Sequence, residues 1–151
     1  MSQATAANSV TVTVDADDLT GSVGADLLFG TADDEIMYGF DGRDILSALG
    51  GDDVVYGNAG LDSLSGGAGE DTLYGGRDDD ALYGGEEDDV LVGGRNGEAG
   101  ASVVDGDLVY TTGLDTLDGG AGDDIVYGNQ GDDLVWGSAG DDTLDRKSTR
   151  L

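Results

Sequence analysis

A nine-residue period runs through most of this chain and restricts its possible folds more than any other feature. Written in nines from Gly21, the sequence reads GSVGADLLF, GTADDEIMY, GFDGRDILS, ALGGDDVVY, GNAGLDSLS, GGAGEDTLY, GGRDDDALY and GGEEDDVLV, ending at Val92. The phase is lost over Gly93 to Thr112 and resumes as GLDTLD from Gly113, followed by GGAGDDIVY, GNQGDDLVW and GSAGDDTLD. The sixth position holds Asp26, Glu35, Asp44, Asp53, Asp62, Asp71, Asp80 and Asp89, then Asp115, Asp124, Asp133 and Asp142. The eighth holds Leu28, Met37, Leu46, Val55, Leu64, Leu73, Leu82 and Leu91, then Leu117, Val126, Val135 and Leu144. Twelve blocks out of twelve keep an acid at one phase and an aliphatic residue or Met at the other. Strict short-period similarity of this kind marks a solenoid, in which each unit buries its apolar side chain only by stacking on its neighbours.

Each phase has a chemical reason. Glycines at the front of a block permit positive φ and close backbone approach, so they predict a tight turn. The last three residues of a block alternate around the aliphatic one, as a short strand does when it sends its middle side chain inward. Turn plus strand takes nine residues, and two such units return the chain to its starting side. One coil is therefore eighteen residues, with strands stacked in parallel roughly 4.8 Å apart. The expected fold is all-β: a parallel β-roll, a two-sheet β-helix solenoid of nine-residue turn-strand repeats.

Stacking aligns the sixth-position acids in rows, and like charges in a row repel unless a cation lies between them. The whole chain carries a net charge of −27. That excludes nucleic-acid binding, since nothing present could neutralise phosphates, and disfavours an anionic membrane surface. A metal ion is the simplest cationic partner. Hydrophobic residues make up 38% of the chain, which is high for a merely disordered acidic segment. The chain has no Cys and no His. Disulfides, thiolate or histidine zinc sites and Ser-His or Cys-His catalytic devices are therefore absent. The apolar stretches are too short to span a bilayer, and Met1 to Asn8 lack the basic and apolar regions of a cleaved signal peptide.

The blocks Gly66 to Tyr74, GGAGEDTLY, and Gly119 to Tyr127, GGAGDDIVY, match G-G-x-G-x-D-x-U-x at every specified position. In this the chain resembles the repeats-in-toxin (RTX) family of haemolysin-type calcium-binding nonapeptide repeats. The resemblance covers Gly21 to Leu144 apart from the interruption. It implies several calcium ions held between turns on the same side of the roll, by sixth-position carboxylates and main-chain carbonyls. That donor set suits a hard cation taking six to eight oxygens. All twelve sixth-position acids are then metal ligands. Residues eighteen apart share an ion, chaining Asp26, Asp44, Asp62 and Asp80 on one side and Glu35, Asp53, Asp71 and Asp89 on the other. Beyond the interruption Asp115 pairs with Asp133 and Asp124 with Asp142, giving about eight candidate sites in all. Some blocks depart from the pattern. Glu35 is longer than Asp, Asp33, Asp78 and Glu87 replace the fourth-position Gly, and Ala48-Leu49 replaces the opening pair. Those turns are expected to bind more weakly or stay empty.

The resemblance also implies a secreted, extracellular module, exported by a route that needs no signal peptide and folding on calcium outside the cell. No catalytic centre is expected within the chain. The alternatives are a non-catalytic C-terminal module of a secreted protease or polysaccharide-modifying enzyme, and a structural or adhesive spacer.

Ser9 to Val14 alternates cleanly and predicts a strand, so residues 1–20 are read as an N-terminal cap on the first coil. Residues 21–92 and 113–144 form the roll, and 93–112 an insertion loop. Residues 145–151, DRKSTRL, break the pattern with three of the chain's six basic residues. They resemble one reading frame of a sequencing-adapter oligonucleotide and are read as a non-native tail on a fragment of a larger parent chain. Tyr38, Tyr56 and Tyr74 lie eighteen apart and predict an aromatic ladder on one outer face. A polysaccharide platform is one reading of that ladder; a stabilising cross-strand stack is the plainer and preferred one.

Overall fold

The computed structural model describes residues 9–12, 18–95, 102–104, 107–109, 114–130 and 133–145. Among these residues every regular element is a strand. In chain order they are β1 (Ser9–Val12), β2 (Asp18–Thr20), β3 (Asp26–Phe29), β4 (Ile36–Asp41), β5 (Ile45–Gly50), β6 (Val54–Ala59), β7 (Ser63–Ala68) and β8 (Thr72–Arg77). They continue as β9 (Ala81–Glu86), β10 (Val90–Arg95), β11 (Ser102–Val104), β12 (Asp107–Val109), β13 (Thr116–Ala121), β14 (Ile125–Gln130), β15 (Leu134–Ala139) and β16 (Thr143–Asp145). Odd strands build one seven-stranded sheet, β1-β3-β5-β7-β9-β13-β15, and even strands the other, β16-β14-β10-β8-β6-β4-β2. All pairings within the two sheets are parallel. The chain thus alternates between sheets every nine residues, and the expected two-sheet β-roll is the observed fold.

Register follows the period. Ile36 pairs with Val54 and Val54 with Thr72, eighteen residues apart each time. Eighth-position side chains therefore meet their equivalents and form a single file between the sheets. Leu28, Met37, Val55, Leu64, Leu73, Leu82, Leu91, Leu117 and Val126 are each wholly inaccessible to solvent. One core residue per nine is thin for a folded domain, which gives weight to what happens at the turns.

The strands are longer than the three residues expected. A full strand such as β6 takes in the last three positions of one block and the first three of the next. Alternation then points the first position inward, like the eighth: Val55 and Gly57 are both buried while their neighbours are not. Sequence reasoning places both opening glycines in the turn, but the structure divides their work. The first-position glycine lies within the strand on the crowded inner face and lacks positive φ, as at Gly57 and Gly84. From the third block onward the second position takes positive φ whatever residue stands there: Phe40 has φ 78°, Leu49 82° and Asn58 79°. An L side chain in that region costs on the order of 1–2 kcal/mol, so Phe40 and Leu49 are held by the stack rather than by preference. The reversal itself falls on positions four to six.

Two boundaries differ from expectation. Gly93 to Arg95 belong to β10, which pairs with β8 before the break and β14 after it. The roll resumes in register, Leu91 against Val126 and Leu82 against Leu117, 35 residues apart instead of eighteen. Between these strands lies the antiparallel pair β11-β12. At the N-terminus the expected strand runs Ser9–Val12 and covers β3, with residues 13–17 outside the described residues. A second strand, β2, was not anticipated; it pairs with β4 and places Leu19 in the core beside Met37. The reason is legible in hindsight: carried back nine residues from Gly21, the phase puts Leu19 at the eighth position and Asp17 at the sixth. Residues 146–151 of the suspected tail lie outside the described residues.

Candidate metal centre

The sixth-position acid closes each turn just before a strand begins, so its backbone is already in the ladder while its side chain turns inward. Its N–H donates to Oδ1 of the equivalent acid on the next rung. Asp44 donates to Asp62 at 2.9 Å, Asp53 to Asp71 at 2.9 Å and Asp62 to Asp80 at 2.9 Å. The bond persists across the insertion, with Asp80 donating to Asp115 at 2.9 Å and Asp89 to Asp124 at 2.8 Å. All twelve predicted ligands are thus drawn into two unbroken rows. One runs Asp26, Asp44, Asp62, Asp80, Asp115, Asp133, and the other Glu35, Asp53, Asp71, Asp89, Asp124, Asp142. The expectation of separate runs before and after residues 93–112 is corrected: ten rung contacts replace eight, because the strands on either side of the insertion pair in phase.

The second carboxylate oxygen has a different fate. Oδ2 of Asp44, Asp53, Asp62, Asp71, Asp80, Asp89, Asp115 and Asp124 is buried with no hydrogen-bond partner. An unpaired buried carboxylate oxygen is costly, by several kcal/mol if it stays charged. All but Asp53, whose block opens with Ala48, lie beside a first-position glycine, as Asp44 does beside Gly39 and Asp115 beside Gly93. A Cβ built on Gly84 would stand 2.3 Å from Asp89 Oδ2 and 2.3 Å from the Gly119 carbonyl oxygen of the next rung. On Gly75 the same atom would meet Asp80 Oδ2 and the Gly93 carbonyl, both at 2.5 Å. At these two positions a Cβ would collide with both atoms, so the glycine leaves room for a carboxylate oxygen of one rung and a carbonyl oxygen of the next to converge.

The electrostatics agree. Burial pushes the Asp80 carboxyl up to about 8, against a lowering by its hydrogen bond from Asp62 N–H and with further raising by the Asp62 and Asp115 charges. Asp53, Asp89 and Asp115 are pushed up to about 7, again chiefly by burial. Asp62 and Asp71 rise to about 6 for the same reason. Without a cation these rows resist ionisation near neutral pH.

Among the described residues no three acidic side chains form a metal-sized cluster by themselves. A cation here takes its remaining oxygens from main-chain carbonyls. Orphaned carboxylate oxygens facing carbonyls through a gap that excludes side chains fit a hard, oxygen-seeking ion such as Ca²⁺.

Ten of the twelve predicted residues are buried, from Asp44 and Asp115 at 0% exposed to Asp26 at 4%. Asp133 and Asp142, near the end of the described roll, are half-buried. Asp26 and Glu35 are buried but bond to Ser22 and Thr31. Sequence reasoning missed an outer row at the fifth position. Asp34 Oδ1 accepts from Asp52 N–H at 2.9 Å, Asp52 Oδ1 from Glu70 N–H at 3.0 Å, and Asp88 and Asp123 do the same for Asp123 and Asp141 at 2.7 Å. The recurring Asp-Asp pairs were its signal. The inner carboxylate accepts from the rung before it, the outer from the rung after.

The predicted ladder is present: Tyr38, Tyr56 and Tyr74 stack with centroids 5.0 Å apart and planes 5° off parallel. Both faces of Tyr56 are covered by its neighbours, so the stack offers ring edges rather than a face for a sugar. That supports the stabilising cross-strand reading.

The family model of the RTX calcium-binding nonapeptide repeat matches in four copies, at residues 12–46, 38–73, 65–97 and 110–144. The chain belongs to the RTX calcium-binding repeat family. The first copy reaches back to residue 12, in keeping with β2 being a strand of the same roll. No curated protein and no solved structure matches the chain. The RTX match and the solenoid together make this a calcium-binding β-roll module.

Proposed function

We propose that the module binds a file of calcium ions along each turn edge, held by sixth-position carboxylates and first-position carbonyls of successive rungs. The observation carrying this is the set of buried Oδ2 atoms without partners, of which those of Asp44, Asp62, Asp80, Asp89 and Asp115 lie beside a first-position glycine together with a carbonyl of the next rung. A cation in that gap supplies the missing charge, and it adds a link between two rungs already joined by the ladder and by the N–H to carboxylate bond.

The same chemistry couples binding to folding. The gap exists only when rungs are stacked, so the ions bind the folded chain and stabilise it by mass action. Sites of the strength common outside cells, roughly 0.1–1 mM, contribute on the order of several kcal/mol in total at millimolar calcium and nothing in its absence. We therefore assign the module to an exported protein, unfolded in calcium-poor cytosol and folding in the extracellular medium, as part of a larger chain whose activity lies elsewhere. Calcium titration of the chain by calorimetry, paired with far-UV circular dichroism, tests both halves. Saturable uptake of several ions coincident with a gain of strand signal is expected. A chain that takes up no calcium at millimolar concentration defeats the assignment.

A further inference from the structure

Among the described residues, the first rung on each edge is built differently from those that follow. From the third block onward the second position has positive φ, as at Phe40, Leu49, Asn58 and Gly67. The carboxylate four residues later keeps a buried oxygen without a partner, as at Asp44, Asp53, Asp62 and Asp71. Ser22 and Thr31 hold the second position in the first two blocks, and neither has positive φ. Each bonds to the sixth-position carboxylate of its own block. Ser22 N–H donates to Asp26 Oδ2 at 2.5 Å, and its hydroxyl lies 3.0 Å from Oδ2 and 3.2 Å from Oδ1. Thr31 N–H donates to Glu35 Oε2 at 3.1 Å, and its hydroxyl donates to Oε1. Burial does not separate these rungs from the others, because Asp26 is 4% and Glu35 3% exposed. What separates them is that their oxygens already have donors.

We propose that Ser22 and Thr31 stand in for the cation on the first rung of each edge, so that calcium loads the roll only from Asp44 and Asp53 onward. The inference rests on the calcium-binding reading above. Donors of partial positive charge aimed at an anionic oxygen do part of a metal ion's work, through charge-assisted hydrogen bonds. An ion entering either rung has to displace one amide and one hydroxyl donor and leave them without that acceptor. The first coil is thus closed by its own side chains, and the ion-dependent rungs stack against a finished end.

Calcium stoichiometry of the full chain, by native mass spectrometry and calorimetry, tests this with the double variant Ser22→Gly/Thr31→Gly. Glycine is the residue already used at the second position by Gly67, Gly76 and Gly85. The variant is expected to bind about two more calcium ions than the wild type, one for each opened rung. Equal stoichiometry overturns the inference and leaves the calcium reading standing. A wild-type chain that binds no calcium overturns the calcium reading instead. Should the glycine variant fail to fold in calcium, Ser22→Ala/Thr31→Val decides, since it keeps the shape and removes the hydroxyls. A gain of at least one ion supports the stand-in role, and no gain overturns it.

Discussion

The two turn edges of the roll carry equivalent inner rows and different outer ones. Both inner rows are acidic at every rung, buried, and stitched by the same N–H to carboxylate bond. Immediately outside, one edge presents Asp34, Asp52, Glu70, Asp88, Asp123 and Asp141, whereas the other presents Ala25, Arg43, Leu61, Asp79 and Leu114. The outer carboxylates also accept backbone N–H bonds, yet the roll keeps its register on the edge that mostly lacks them. Hydrogen bonding to a neighbouring rung is therefore an optional service at the fifth position. At the sixth, from Asp44 to Asp124, it is combined with burial and with a second carboxylate oxygen that has no hydrogen-bond partner, and there the acid never gives way to a neutral residue.

The comparison is broken or sharpened by four measurements. The largest effect is expected from removing calcium. In excess chelator at neutral pH the strand signal in far-UV circular dichroism should be lost, because each edge is left with a row of buried carboxylates and no cation between its rungs. Retention of the full signal would mean the inner rows need no ion and differ little from the outer one.

Next in size is the response of the metal-free chain to acid. Asp53, Asp62, Asp71, Asp80, Asp89 and Asp115 titrate near 3.8 when unfolded and at about 6 to about 8 when folded. The folded state therefore holds protons that the unfolded state has lost, and its stability falls as pH rises through that upper range. In chelator, acidification from about pH 8 to about pH 5 should restore part of the strand signal by neutralising the rows. A metal-free chain that loses structure on the same acidification refutes the sign.

Substitutions within one rung separate the two rows directly. Asp89→Ala removes the acceptor of the buried Asp71 N–H, which by itself costs about 1–3 kcal/mol, and it also takes away a calcium oxygen. The calcium midpoint of folding should rise several-fold. Gly84→Ala, which puts a methyl into the gap beside Asp89 Oδ2, should act in the same direction, with an overpacking cost of about 1–3 kcal/mol. The smallest effect is expected from Asp88→Ala. Its carboxylate accepts from Asp123 N–H at 2.7 Å but is exposed, so water replaces it at a cost of about 0.5 kcal/mol or less. Equal shifts for Asp88→Ala and Asp89→Ala would erase the distinction between the rows.

The architecture and the ligand rows were legible in the sequence because both depend on a short period. A solenoid places residue i against residue i plus eighteen by repetition alone, so the acid at Asp71 and the leucine at Leu73 announce their stacks without long-range information. The boundaries were less legible. Leu19 was missed because the block containing it lacks an opening glycine, and Gly93 was assigned to the insertion because the block after it never finishes.

By itself, the sequence determined the coil length, the alternation between two sheets, the file of core side chains and the two acidic edges, since each is a matter of phase. Tertiary structure alone decided that the rows run unbroken from Asp80 to Asp115 and from Asp89 to Asp124, because only stacking brings residues 35 apart into the place that eighteen fills elsewhere. It alone also decided which carboxylate oxygens are left without a donor. Asp26 and Asp44 occupy the same phase, and nothing in the repeat distinguishes them. They differ because the backbone turns Ser22 toward its carboxylate and turns Phe40 away, and that depends on a φ value rather than on a pattern of letters.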